Sequence, residues 1–280
     1  MDTMGFPEVV LDQDTSPRDA IKEYLRLRPT ALRIHNLLAQ NLSYDVLDQG
    51  AKRLGILRGG EIYLHGDGEA AAMMDYCIYN VYRNGRNAID QYVSENAFDS
   101  DSDVAAVLKA MQHATYTLAV GVAIKPGIGG YIQNLLSNET RLLTDVAISE
   151  TGRPGMVLAT RLLDYGNYVT TGGASIPVGM ISCDEMEEWQ RAITLGRDSS
   201  GFDPADLIVT CLKGDPWSCS NFAELNRYVK TNIRRLSQKT ELSQRKSALA
   251  RRVNRASLNH RCKCGSGKMA KNCCGMRQAS

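Results

Sequence analysis

The first third of the chain alternates between apolar and polar residues at a helical period. "SPRDAIKEYLRLR" places Ser16 as an N-cap, Pro17 in the first helical position and Asp19 in the first turn, which predicts a helix start. Pro29 is expected to interrupt that helix, and Leu32, Leu37, Leu38 and Leu42 then line a second one. Ser43 caps a third predicted helix that Gly55 ends. A short apolar connector, "ILRGGEIYLHGDG", follows. Met73, Met74, Cys77, Ile78 and Val81 recur at helical spacing after it. "RNAIDQYVSE" reads as another helix. "DSDSD" then supplies caps for "VAAVLKAMQHATY", where acidic residues suit the positive end of the helix dipole.

Near residue 117 the period changes. Short apolar runs now alternate with Pro-Gly, Gly-Gly, Ser-Asn-Glu and Gly-Arg-Pro-Gly, at intervals of about ten residues. This predicts five or six short strands over 117–178, which should close into a small barrel or a strongly curled sheet. Helical spacing returns in "CDEMEEWQRAITL". After a loop it returns again in a long stretch whose apolar stripe is Phe222, Leu225, Val229, Ile233 and Leu236. The fold class expected is therefore α+β, mainly α. A helical domain over 1–116 precedes a small β-barrel-like domain over 117–180. A helical segment over 181–258 ends in a basic helix, and a terminal module spans 259–280.

Charge sharpens this division. Residues 1–226 carry 18 Lys and Arg against 30 Asp and Glu, whereas residues 227–280 carry 15 against Glu241 alone. A tail this basic suits an anionic partner, either nucleic acid or an acidic protein surface. A solvated helical face produces the same pattern. With 280 residues and 43% hydrophobic content the chain can bury a core without disulfides. Its longest apolar stretch, "YTLAVGVAI", is too short to span a bilayer, and the acidic N-terminus has no apolar signal region. The expectation is a cytoplasmic protein in a reducing compartment. Clustered cysteines there favour metal or redox roles.

Such a cluster closes the chain in "RCKCGSGKMAKNCCG". Cys262 and Cys264 form C-x-C, and Cys273 and Cys274 form an adjacent pair after eight intervening residues. Two pairs of soft ligands on one short loop suit tetrahedral Zn²⁺, with sulfurs at about 2.3 Å. Gly265 and Gly267 supply the turn. Arg261, Lys263, Lys268 and Lys271 offset the charge of four thiolates. A phosphate loop would need Gly at 262 and Ser or Thr at 269, where Cys and Met stand. A thioredoxin-like site would need C-x-x-C. A Cys273–Cys274 disulfide would be strained, and His260 is a bystander to a complete cysteine set.

"CKCGSGKMAKNCCG" closely resembles the SEC-C motif, the small zinc module that ends SecA-type translocation ATPases and many otherwise unrelated bacterial proteins. The resemblance implies a structural zinc on Cys262, Cys264, Cys273 and Cys274, and a partner-binding appendage. A softer resemblance joins 132–178 to a module of uncharacterised bacterial proteins that also end in SEC-C. It is carried by Leu135, Leu136, Ser149, Arg153, Pro154, Gly155, Leu158, Arg161, Leu162, Leu163, Gly173, Ala174 and Pro177. Asn134, Asn138 and Asp164 depart from its pattern. It implies a domain order, with no activity attached.

Nothing else assembles a catalytic set. Cys77, Cys183, Cys211 and Cys219 are scattered, as are His35, His65 and His113. There is no G-x-S-x-G or H-E-x-x-H, and "KPGIGGY" reads as a turn. Glu187 and Glu188 face different sides of a helix. The expected function is that of a non-enzymatic zinc-binding factor that docks on protein or nucleic acid. The partner-binding residues would be Arg234, Arg235, Lys239, Arg245, Lys246, Arg251, Arg252, Arg255, Lys268 and Lys271. The alternatives are a nucleic-acid-binding regulator, and an enzyme with a site between the helical and barrel parts. The tail lacks interleaved aromatics, which disfavours single-strand stacking.

Overall fold

The computed structural model describes residues 16–195 and 203–212. Within them the fold is mixed α+β, with helices packed around a small closed barrel.

Helix α1 runs unbroken from Pro17–Gln40, with Ser16 at its N-cap position. The expected break at Pro29 is absent. Proline there removes one backbone N–H, but Pro29 and the Leu25 carbonyl it leaves unpaired both lie on the exposed face, where water satisfies the oxygen. Continuity also fixes the phase of the second half. The buried stripe is Ala20, Tyr24, Leu27, Ile34 and Leu38, while Leu32 and Leu37 face solvent. Helix α2, Tyr44–Leu54, ends at Gly55 in the left-handed conformation (φ 70°), as the sequence predicts.

The apolar connector after it is a hairpin, β1 (Leu57–Arg58) and β2 (Glu61–Ile62), turned by Gly59–Gly60. Helix α3, Asp67–Asn80, is buried almost all round its C-terminal half, from Ala72 to Tyr79. Gly50 of α2 lets it approach closely, since a Cβ at Gly50 would lie 2.3 Å from Cys77 Sγ. Helix α4, Ala88–Glu95, is capped by Asn87, and α5, Asp103–Gln112, by Ser102. Leu27, Ile34 and Leu38 of α1 share one core with Ile78, Ile89, Leu108 and Met111.

The period-2 region forms six strands: β3 (Thr115–Lys125), β4 (Gly129–Asn134), β5 (Thr140–Thr144), β6 (Met156–Asp164), β7 (Val169–Thr171) and β8 (Ile176–Met180). Their order is β3-β4-β5-β7-β6, and β6 pairs back onto β3, which closes a five-stranded barrel. The second edge of β6 is shared. Its C-terminal half pairs with β7 and its N-terminal half with β8. Among the described strands only β5 and β7 pair in parallel, with Leu143 opposite Val169. A short helix the strand pattern concealed, α6 (Val146–Thr151), is capped by Asp145 and contributes Ile148 to the core.

Register decides which residues line the barrel, because paired residues share a face. Ala119, Ile132, Leu143, Leu162 and Val169 cluster inside. Tyr116, Leu118, Arg161 and Leu163 therefore point outward, toward the helices. Arg153-Pro154-Gly155 makes the turn into β6: the Met156 N–H donates to the Arg153 carbonyl at 3.0 Å, with Gly155 at φ 85°. Helices α7 (Cys183–Leu195) and α8 (Pro204–Leu212) follow, and α8 packs on α2, α3 and the barrel.

Candidate functional site

Two polar constellations stand out among the described residues. The first joins the helices to the barrel wall. Asp75 interrupts an apolar helix face and Arg161 an apolar strand run, yet both are buried, at 5% and 2% exposure. Arg161 Nε donates to both Asp75 carboxylate oxygens at 3.0 Å, and Nη2 donates to Asp75 Oδ2 at 2.8 Å and to Asn80 Oδ1 at 2.6 Å. The guanidinium lies 4.0 Å over the Tyr79 ring and 5.4 Å from that of Tyr116. Opposite charge, multiple donors and two aromatic faces are what an arginine needs to leave water. Gly172 opens the space beside the pair, its virtual Cβ lying 3.1 Å from Arg161 Cβ.

His35 extends the cluster. Its Nδ1 lies 3.2 Å from the Ala31 carbonyl and its Nε2 2.7 Å from the Tyr79 hydroxyl. A carbonyl only accepts, so Nδ1 carries the proton and Nε2 accepts from Tyr79. Burial pushes the His35 pKa down. It pushes the Tyr79 and Tyr116 phenols well up. All three are therefore neutral around pH 7, so the arrangement acts as a neutral, hydrogen-bonded clamp on an ion pair.

The second constellation is the barrel mouth. A cavity of about 180 Å³ is lined by His113, Thr115, Asn134, Glu139, Arg141 and Asp164 over a floor of Ile132, Leu162 and Val169. Arg141 spans it. Its Nη2 donates to Asp164 Oδ1 at 2.8 Å and to the Gly166 carbonyl at 2.8 Å, and its Nη1 to Asp164 Oδ2 and Glu139 Oε1 at 3.1 Å each. Hydrogen bonds from Arg141 and Gly166 outweigh partial burial and hold the Asp164 carboxyl below its usual range. Asn134 uses its side-chain oxygen to accept from Thr117 Oγ1 and from the Leu136 and Ser137 amides, which fixes the loop after β4. Two residues that depart from the second resemblance, Asn134 and Asp164, thus both sit at this rim.

The described cysteines and His65 lie outside both constellations. Cys77 and Cys211 are buried, and burial raises both thiols to about 12, so neither is a thiolate at neutral pH. Cys183 is also raised, by burial first. His65 pairs with Glu69 at the surface, and His113 Nδ1 bonds the Lys109 carbonyl at the end of α5. Among the described residues no group of three or more His, Cys, Asp or Glu is placed to hold a metal. No described helix is long and apolar enough to cross a membrane.

The sequence-derived zinc ligands Cys262, Cys264, Cys273 and Cys274 lie outside the described residues. So do Cys219 and the basic positions Arg234, Arg235, Lys239, Arg245, Lys246, Arg251, Arg252, Arg255, Lys268 and Lys271. What sequence reasoning missed is the Asp75–Arg161 pair. Its signal was present as two lone charges of opposite sign, each centred in an apolar run. The separation of 86 positions along the chain hid the partnership.

Residues 18–178, more than half of the chain, match the model of a family described as "Family of unknown function (DUF7986)". The match covers α1 through β8 up to Val178 and ends before the basic segment and the cysteine cluster. No curated protein and no solved structure matches the chain.

Proposed function

Starting from a chain that belongs to the DUF7986 family, whose description assigns no activity, we propose a zinc-binding docking factor of the cytoplasm that acts through its C-terminal region. The observation that carries this is the composition of residues 227–280, with 15 Lys and Arg against one acidic residue and four cysteines within thirteen positions. The donor set suits zinc, since four thiolates make a closed structural site with no open position for catalysis. Zinc there would hold the terminal turn in shape, and the lysines between the pairs would offset the negative charge of the thiolates.

The partner-binding residues of this reading are Arg234, Arg235, Lys239, Arg245, Lys246, Arg251, Arg252 and Arg255, together with Lys268 and Lys271. An acidic protein surface is the first target considered; the near absence of aromatic residues from this stretch argues only against single-strand stacking. The excess of arginine over lysine favours a second reading, contact with nucleic-acid phosphates. Metal analysis tests the zinc. The full chain should carry one zinc, and Cys262→Ser with Cys273→Ser should lose it while the body keeps its melting transition. Retained stoichiometric zinc would reject the four-cysteine site. Salt titration of duplex or single-stranded binding decides the second reading. Phosphate contacts give a log–log slope near −0.9 per contact on duplex DNA, and a flat or absent response removes nucleic acid as the partner.

A further inference from the structure

The two ends of the barrel are built differently. Where β5 leads into α6, Ile148 packs on the interior residues and fills that end. At the opposite end β3, β5 and β7 begin, and β4 and β6 finish. Register there sets Thr115 opposite Leu162, Ile132 opposite Arg141 and Asp164 opposite Val169. Ile132, Leu162 and Val169 belong to the interior cluster, so their partners share the inner face. All six line the cavity of about 180 Å³. The cavity is therefore the lumen of the barrel, not a dent in its outer wall. Small barrels ordinarily fill this space with side chains. Here Thr115 and Val169 are short, and the Arg141 head is held at the rim by Asp164 and the Gly166 carbonyl.

The hydrogen-bonding capacity left at the rim is that of a donor. The Leu136 and Ser137 amides both donate to one side-chain atom of Asn134, which must therefore be its oxygen. The Asn134 Nδ2 then carries two hydrogens with no acceptor among the described residues. All four terminal hydrogens of Arg141 are engaged, two by Asp164, one by Glu139 and one by the Gly166 carbonyl. One guanidinium between two carboxylates leaves no surplus positive charge to draw in an anion. A cationic head would bring further donors to a rim that already has unused ones. Below the rim the walls are aliphatic, and about 150 Å³ is enough for a benzene-sized guest in such surroundings.

We propose that the open end of the barrel binds a small uncharged molecule, one ring in size. Its carbonyl or carboxamide oxygen accepts from Asn134 Nδ2, and its apolar body rests on Ile132, Leu162 and Val169. The site uses none of the C-terminal residues of the docking reading, so either can fail without the other.

The test titrates the methyl-labelled full chain with benzamide, benzoate and benzylamine to millimolar concentrations, followed by NMR. These probes are nearly one size and differ in the head. Benzamide should shift the Ile132, Leu162 and Val169 methyl resonances along saturable curves, and should bind several-fold more tightly than the other two. Asn134→Asp keeps an oxygen for Thr117 and for the Leu136 and Ser137 amides but replaces the donor with an acceptor. It should keep the parental melting curve and abolish the benzamide shifts. Thr115→Phe, at an exposed position of the mouth, leaves the Asn134 contacts intact and fills the cavity, so it should abolish the shifts as well. Absence of saturable shifts, shifts confined to methyls outside the cavity, tightest binding by benzoate or benzylamine, or benzamide binding that survives both substitutions would each overturn the proposal.

Discussion

At the scale of single residues the decisive interaction is Asp75 with Arg161. Neither charge reaches water, so removing one partner strands the other. Asp75→Ala should lower the unfolding free energy by about 3–5 kcal/mol, read as a shift in urea midpoint. The double replacement Asp75→Leu with Arg161→Met should recover most of that loss, because a buried pair exchanged for apolar side chains of similar volume is close to neutral. A double variant as unstable as the single one would mean that Asn80 and the tyrosine faces depend on the charge itself. His35 adds a pH dependence. Burial lowers its folded pKa below the unfolded value of about 6.5. The unfolded chain then binds the proton first, and stability falls as pH drops below that value. His35→Gln keeps an acceptor for the Tyr79 hydroxyl and removes the titration. Its stability should therefore decline less between pH 7 and pH 5 than that of the parent; superimposed curves would exclude the buried neutral imidazole.

At the scale of elements, the sequence speaks clearly where one rule acts alone. The cap within "DSDSD" (Ser102), the Gly55 stop and the switch to strand punctuation near 117 all appear in the fold at or close to their read positions. It misleads where two rules compete. Pro29 reads as a breaker, but tertiary burial of Leu27, Ile34 and Leu38 on both sides outweighs one missing hydrogen bond at the surface. That wrong break also shifted the helical phase and sent Leu32 and Leu37 to the wrong side. In "ILRGGEIYL" the Gly-Gly hairpin was legible in principle, though two-residue strands carry too little alternation to declare themselves. Asp75 and Arg161 were invisible as a pair because local patterns carry no information about contacts 86 residues apart. The element-scale prediction follows from α1. Pro29→Ala restores the N–H that Leu25 lacks. It should therefore raise stability, by up to about 3 kcal/mol on helix-interior propensities and less after the unfolded chain regains entropy. Gly50→Ala should act in the opposite sense, since its new methyl would overlap Cys77 Sγ. The cost expected is about 1–3 kcal/mol, partly relieved by Cys77→Ala in the same chain.

At the scale of the whole molecule, thiol chemistry distinguishes the body from the tail. Cys77 and Cys211 are shielded by packing, with thiols raised to about 12 that present almost no thiolate at pH 7. The terminal four, on the proposed reading, are shielded by metal. These two kinds of protection fail under different conditions. A thiol reagent added to the native, zinc-loaded chain should therefore find Cys183 and spare Cys77 and Cys211. A strong chelator should make four further thiols reactive without denaturant, because on that reading coordination is what protects them. Urea should then be needed to reach Cys77 and Cys211, and their exposure should follow the unfolding of the helices and barrel seen by circular dichroism. A chelator that leaves the thiol count unchanged would refute metal protection of Cys262, Cys264, Cys273 and Cys274. A chelator that also released Cys77 and Cys211 would mean that the metal supports the body as well.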